Sequence, residues 1–387
     1  MMNKKLAIIG ASELQNPLIL KAKEMGYETH VFAWRCGDIG EQTADRFYPI
    51  SIRETGRILE ECKAIRPCGI VTIASDLASV TVNEVANALS LPANPPVTAS
   101  IATNKFEMRE AFLRAGLETP EHHKVTADSD LSFLGSMPLP LIVKPTDRSG
   151  SRGIWKVEDR AQLNQAVRMA CEQSFEGCAI VETFIGGAEY SCESISQQGR
   201  HHFLAITRKV TTGAPHFIEV GHVQPAGFTE EETQYIVRHI DAALDALKIR
   251  CGASHAEFKY DARTKRFGLI EIGARMGGDC IGSDLVPLST GADFVKMTIQ
   301  AAVGQKIELP AHRSCRPVAV RYLFNQEDVA RFERLKAKKP ECIVRSYLSD
   351  QKADSVTDSS TRLGFYIVTG EDLHTVCEDA GLPQNAL

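Results

Sequence analysis

The sequence predicts an α/β unit wound around a parallel sheet, followed by an α+β body on a different plan and a smaller C-terminal subdomain. Three observations carry this. Up to about residue 90, short apolar runs alternate with stretches of helical periodicity, the pattern of parallel strands joined by helices. The segment Leu91-Pro92-Ala93-Asn94-Pro95-Pro96 then interrupts the alternation and marks a boundary. Beyond it the order becomes strand, Gly/Ser loop, strand, helix and strand, and later two long runs joined by a polar turn. At 387 residues the chain exceeds the size at which one hydrophobic core keeps growing, so two or three packed units are expected.

In chain order, Leu6-Ala7-Ile8-Ile9 is a first strand ending at Gly10-Ala11-Ser12. Asn16-Pro17 supplies an N-cap and an N1 proline for a helix that Gly26 closes. Glu28 to Phe32 is the next strand, and Ile58, Leu59, Cys62 and Ile65 lie on one face of a second helix. A buried strand from Gly69 to Ile73 and a helix through Val85 and Leu89 complete the unit. The turn after the first strand holds one glycine rather than GxGxxG, which argues against a dinucleotide site. A helix from about Asn104 to Ala115 opens the second unit, and Leu141-Ile142-Val143 is a strand. Asp159 and Gln162 have the spacing of a capping box before a helix carrying Leu163, Ala166, Val167, Ala170 and Cys171. Cys178 to Ile185 is a further strand, and mixed strands and helices follow residue 310.

Composition narrows the function. Hydrophobic residues at 43% and charged residues at 24% are those of an ordinary globular protein, and no run reaches the length of a membrane span. A formal charge of −5 argues against nucleic acid as a partner. The opening MMNKKLAIIGASEL runs into a glycine turn instead of a signal-peptide h-region. Eleven cysteines without a CxxC pair read as reduced thiols, so a cytoplasmic location is expected. His122-His123 and His201-His202 lack nearby cysteine or carboxylate partners, so zinc is not expected.

Two stretches carry chemistry. In PLIVKPTDRSGSRGIWKV, Lys144 ends a buried strand ahead of a loop holding Ser149, Gly150, Ser151 and Gly153. Pro145 biases Lys144 toward extended geometry, and the small residues let backbone N–H groups approach an anion. The lysine precedes the glycines, so this is not a Walker A loop. In HAEFKYDARTKRFGLIEIGARMGGD, two antiparallel strands flank a turn near Thr264. Symmetry about that residue sets Glu257 opposite Glu271, with Cβ atoms roughly 5 Å apart. Like charges so placed repel unless a divalent cation sits between them, and a pair of hard carboxylates suits magnesium carrying substrate phosphates. Arg275, further along the same face, would stabilise developing negative charge. Taken alone, the first stretch also fits a polar hairpin loop and the second an exposed hairpin with surface ion pairs.

The order and spacing of these stretches resemble the ATP-grasp superfamily over nearly the whole chain, in particular its carboxylate–amine ligase and biotin-carboxylase-like members. The resemblance implies a Rossmann-like pre-ATP-grasp domain at 1–100, an ATP-grasp domain at 101–310 with a mobile lid at about 118–190, and a C-terminal subdomain at 311–387. NKFEMREAFLRAG is similar to the family's opening helix and PLIVKP to its lysine-bearing strand, which makes Lys105 and Lys144 phosphate ligands. In VETFIGGAEYS, the match to the family's hinge implies Glu182 at the adenine amino group, Phe184 and Ile185 along the adenine edge, and Glu189 on the ribose hydroxyls. Lys209, in AITRKVTTG, resembles the lysine that reaches the transferred phosphate. The cofactors implied are ATP and magnesium, with manganese as a substitute.

The sequence also departs from the family's pattern. The metal-binding strand usually reads Glu-x-Asn-x-Arg, whereas here it reads Glu271-Ile272-Gly273-Ala274-Arg275. Either the metal is held by Glu257, Glu271, phosphates and water, or a residue such as Asp279 supplies the missing oxygen. Gly277-Gly278 would offer backbone N–H groups to a substrate carboxylate, or form a tight turn alone. Ser75, Asp76 and His222 are further candidate substrate contacts by position. The function implied is ATP-dependent joining of a carboxylate, amino acids among the candidates, to an amine through an acyl phosphate. Activation of bicarbonate and nucleotide binding without catalysis are the alternatives. Small-molecule acid and amine are the implied partners, with no membrane, and a homodimer is compatible with the reading.

Overall fold

The computed structural model describes residues 4–150, 152–213, 217–312, 314–349 and 361–383. Its first unit is a parallel sheet of β1 (Lys5–Ile9), β2 (Glu28–Ala33), β3 (Arg46–Pro49) and β4 (Gly69–Val71) in the order β3-β2-β1-β4. The sequence alternation foretells three of these strands but not β3, a four-residue edge strand whose RFYP lacks an apolar run. Helices Asn16–Glu24 and Thr55–Ile65 connect strands of this sheet, and the helix Asp76–Ala88 follows β4. The first helix is capped by Gln15, one residue earlier than the sequence suggests. Gln15 is fixed there because its side chain accepts from Ser12 N–H at 3.1 Å and donates to Ile73 O at 3.0 Å.

The second sheet is antiparallel and comprises β5 (His122–Thr126), β6 (Leu141–Pro145), β7 (Trp155–Val157) and β8 (Cys178–Thr183) in the order β5-β8-β6-β7. One face carries Leu141, Val143, Ala179 and Val181, which pack against the helix Leu163–Gln173. Strand alternation leaves Ile142, Lys144 and Glu182 on the other face. Asp159 caps by accepting from Ala161 N–H and opens a single 3-10 turn, Arg160–Gln162, before the α-helix begins.

The third sheet has eight antiparallel strands. Its order is β13 (Arg266–Gly273), β12 (Cys251–Asp261), β9 (Ala188–Gln197), β10 (Arg200–Thr211), β11 (Glu219–Gln224), β14 (Val318–Leu323), β16 (Gly364–Thr369) and β15 (Ile343–Leu348). The strands after residue 310 therefore continue the central sheet. One face of β9, β12 and β13 presents Tyr190, Cys192, Ala256, Phe258 and Ile272 to a core shared with the helices Lys105–Arg114 and Glu230–Ala246. Asn104 caps the former by accepting from Phe106 and Glu107 N–H. Thr229 and Glu232 close a capping box on the latter. Alternation then commits the opposite face to polar residues, and register lines them up: Glu189 faces Lys209 and Lys259, Lys209 faces His222, and His255 faces Glu193. All eleven cysteines are free, and among the described residues no helix is long and apolar enough to cross a membrane.

Candidate active site

The polar faces of the second and third sheets enclose a cavity of about 430 Å³. Glu257 and Glu271 are direct partners in the β12–β13 register, with a bulge immediately after Glu257. That bulge takes up the residue by which the turn, centred between Arg263 and Thr264 in the outer pairs, differs from symmetry about Thr264. The two carboxylates do not face each other bare. Lys209 Nζ lies 2.5 Å and His255 Nε2 3.1 Å from Glu257 Oε1, while Lys105 Nζ lies 2.9 Å from Glu271 Oε2. The expected repulsion is thus already offset by three cationic partners.

Around this pair the structure gathers most of the residues singled out by sequence. Lys105, Lys144, Glu182, Phe184, Ile185, Glu189, Lys209 and Arg275 all line the cavity, as do Asp76, Ser149, Gly150, His222 and Gly278. Lys144 Nζ is 2.5 Å from Glu182 Oε1, and Arg109 Nε reaches Glu182 Oε2 at 2.9 Å. Lys105 also donates to Arg148 O at 2.6 Å, tying the helix Lys105–Arg114 to the loop after β6. Lys156 and Lys259 stand over the Phe184 ring at 4.9 and 4.7 Å from its centroid.

The remaining expected residues lie outside this lining or are held by other partners. Ser75 caps the helix Asp76–Ala88 by accepting from Ala78 N–H at 3.2 Å. Gly153 sits behind the loop, where a Cβ would meet Pro145 at 3.0 Å. Gly277 backs onto a buried pair, since a Cβ there would lie 2.7 Å from His255 Nδ1 and 2.9 Å from Glu193 Oε2. Ser151 lies outside the described residues. Asp279 is committed to Arg362 at 2.9 Å, with His222 Nε2 at 3.9 Å, so it does not join Glu257 and Glu271 as the missing oxygen.

Residues 137–284 match the ATP-grasp domain family. An uncharacterized protein of Sinorhizobium fredii is 25% identical over 265 residues, 67% of this chain but only 53% of that protein's length. The D-alanine–D-alanine ligase of Paracidovorax citrulli is 28% identical over 244 residues, 59% of this chain and 71% of that one. The crystal structure of L-amino acid ligase from Bacillus licheniformis superposes with a TM-score of 0.79 at 25% identity, covering 97% of this chain and 95% of that one. Residues 137–284 thus match an ATP-grasp domain, and the fold over nearly the whole chain is that of the ATP-grasp ligase structures.

The cavity stabilises several buried charges. Burial opposes the charged form of Glu257, but Lys209 and then His255 outweigh it and hold the carboxyl well below its usual range. Burial likewise opposes protonation of His255, yet Glu193 and Glu257 raise it to about 9. Lys209 is held well above its usual value by Glu257, Glu189 and Glu219 against the cost of burial. Glu182 is pulled to about 2, since Arg109 and Lys144 outweigh burial. Burial pushes Lys144 below its usual value, and the Glu182 charge offsets that only in part.

The donor set fits a magnesium ion that brings phosphate oxygens of its own. Glu257 and Glu271 are the two opposed carboxylates that would hold it, and among the described residues no group of three His, Cys, Asp or Glu side chains forms a metal cluster. Sequence reasoning overlooked Arg109, Glu193, His255, Glu219 and Lys259. Two were within reach of it: Arg109 follows Lys105 by one helical turn, and His255 precedes Glu257 by two residues on the same strand face.

Proposed function

We propose that the protein is an ATP-dependent ligase that joins a small carboxylate to an amine through an acyl phosphate, releasing ADP and phosphate. The observation that carries this is the gathering of Lys105, Lys144, Lys209 and Arg275 with the opposed Glu257 and Glu271 around one cavity. Amino acids are the first substrate class to test, because two of the similar proteins are named D-alanine–D-alanine ligase and L-amino acid ligase.

In this reading Lys105, Lys144 and the Ser149-Gly150 loop hold the phosphates. Glu182, Phe184, Ile185 and Glu189 bind the nucleoside in the slot between the sheets, where an apolar floor takes the base and acceptors read its rim. Glu257 and Glu271 hold magnesium, which when bound neutralises charge on the phosphate oxygens. Lys209 and Arg275 stabilise negative charge on the phosphoryl group as it passes to the carboxylate oxygen and ADP departs. The amine then attacks the acyl carbon, and phosphate leaves with the former carboxylate oxygen. The loop bearing Ser149 and Gly150 borders the cavity and in this reading keeps water from the anhydride.

A screen of amino acids for ATP-dependent phosphate release tests the reading. With an acid labelled by oxygen-18 in its carboxylate, one label is expected in inorganic phosphate, and hydroxylamine is expected to trap a hydroxamate. AMP and pyrophosphate as products would overturn the mechanism, and turnover with bicarbonate alone would overturn the substrate class.

A further inference from the structure

Position 273 is where this chain departs from the pattern of its metal-binding strand, and the structure shows what fills the vacated space. A Cβ built on Gly273 would lie 2.8 Å from Asp76 Oδ1, 3.1 Å from Arg275 Cζ and 3.2 Å from Arg275 Nε. Asp76 comes from the other end of the chain's architecture, the first turn of the helix after β4. It meets Arg275 side-on, with Nε donating to Oδ1 at 2.7 Å and Nη2 to Oδ2 at 2.9 Å. The neighbouring backbone is docked as well: Ala74 N–H donates to Met276 O at 3.1 Å, and a Cβ on Gly278 would stand 3.2 Å from Ala74 Cβ.

We propose that Asp76 is a positioning residue for Arg275, and that Gly273 is glycine because any side chain there would break their contact. The inference rests on the ligase reading for the role of Arg275. A guanidinium has five N–H groups in a fixed fork, and the side-on contact takes one from Nε and one from Nη2. The other three remain uncommitted to Asp76, one of them reaching Met276 O at a long 3.5 Å. A single carboxylate gripping two nitrogens fixes the plane of the fork, which a lone hydrogen bond would not do. The side chain of Asp76 is 18% exposed and that of Arg275 13%, so the pair is largely shielded from the solvent that weakens surface ion pairs. Arg275 is thereby aimed from a domain that contributes few other charges to the cavity, and the first domain becomes part of the phosphate site.

Asp76→Ala and Gly273→Ala break the same contact from opposite sides, so the test is a double-mutant cycle. The primary readout is the ratio of affinities for a non-hydrolysable magnesium–ATP analogue and for magnesium–ADP, measured by calorimetry. Loss of one charge-assisted contact corresponds to about ten- to a hundredfold. Each single variant should lower the preference for the triphosphate by about tenfold, and the double variant by no more than the larger single effect. A merely structural role would lower both affinities together and leave the ratio unchanged, which would overturn the proposal, as would additive losses in the double variant. Melting curves check folding, and Gly273→Ala retains a reading if Asp76→Ala does not fold. Turnover of the wild type with amino acids is measured separately. Its absence would count against the ligase reading while the affinity ratio still decides the role of Asp76.

Discussion

Replacing Glu257 by glutamine sets two electrostatic effects against each other, and the structure says which is larger. Relief of the cross-strand repulsion from Glu271 favours the variant by at most about 1 kcal/mol, the scale of a directly opposed pair on a sheet. Against it stand the contacts of Glu257 Oε1 with Lys209 at 2.5 Å and His255 at 3.1 Å. Each is a charge-assisted hydrogen bond worth about 1.5–3 kcal/mol, and a neutral amide oxygen, though its two lone pairs can still accept from both cations, loses the charge that strengthens each contact. Lys209 retains Glu189 at 3.1 Å and Glu219 at 3.7 Å, and His255 retains Glu193 at 2.5 Å, so the loss falls short of a fully broken buried pair. The expected net effect is about 1–2 kcal/mol of destabilisation in the ligand-free protein, read as a fall of a few degrees in melting temperature. Differential scanning with and without magnesium–ATP is the assay, and the variant is also expected to lose the extra stabilisation that magnesium–ATP gives the wild type. A variant that melts at or above the wild-type temperature without ligand would refute the reasoning, because repulsion would then dominate after all.

Three further outcomes follow from the same geometry. Lys105→Ala and Lys144→Ala should each weaken binding of a non-hydrolysable ATP analogue by about ten- to a hundredfold, measured by calorimetry; unchanged affinity in both would remove the phosphate assignment. Glu182 is lowered from 4.5 to about 2, so its stabilising contribution is fully present above pH 4.5 and is lost as the pH falls through about 2. Glu182→Gln should accordingly flatten the difference in denaturant stability between pH 6 and pH 3, and an unchanged pH dependence would contradict the pairing with Arg109 and Lys144. Gly153→Val should slow turnover more than it weakens nucleotide binding, because a side chain at φ +69° strains the loop expected to close; equal effects on kcat and affinity would argue against a lid.

How far the sequence could be read depended on whether a residue's partner was local. The Glu257–Glu271 pairing was legible because a hairpin is a local object, and even its bulge left those two residues in register. The helix and strand bearing Lys105 and Lys144 were legible from apolar periodicity. The network that neutralises the site was not. Arg109 and Glu182 are 73 residues apart, Lys209 and Glu257 are 48, and nothing in either local pattern says that they meet. A charged residue on a strand reads as solvated until another element covers it, so Lys259 and Glu193 were overlooked. The same ignorance produced the expectation that the glutamates repel.

Gly273 shows how a departure from a family pattern becomes informative once its spatial neighbours are known. In the sequence it reads as a lost ligand, and the natural question is which oxygen replaces the asparagine. Asp279 is the next acidic residue after Gly273, yet its carboxylate is held by Arg362. Asp76, 199 residues away from Arg275, is the acidic group that reaches the space. It arrives paired with the arginine of that strand rather than as a member of a metal cluster. A local rule is broken at one residue, and the compensation is made by a contact between domains, which is the form such exceptions take at sites under functional constraint. If Gly273→Asn were made together with Asp76→Ala, the strand would regain the family's pattern. The prediction is a gain in magnesium affinity over Asp76→Ala alone, read by metal titration in the presence of ADP. No gain would mean that the backbone at 273 no longer presents a side chain toward the metal pair, and that the strand has given up that ligand position altogether.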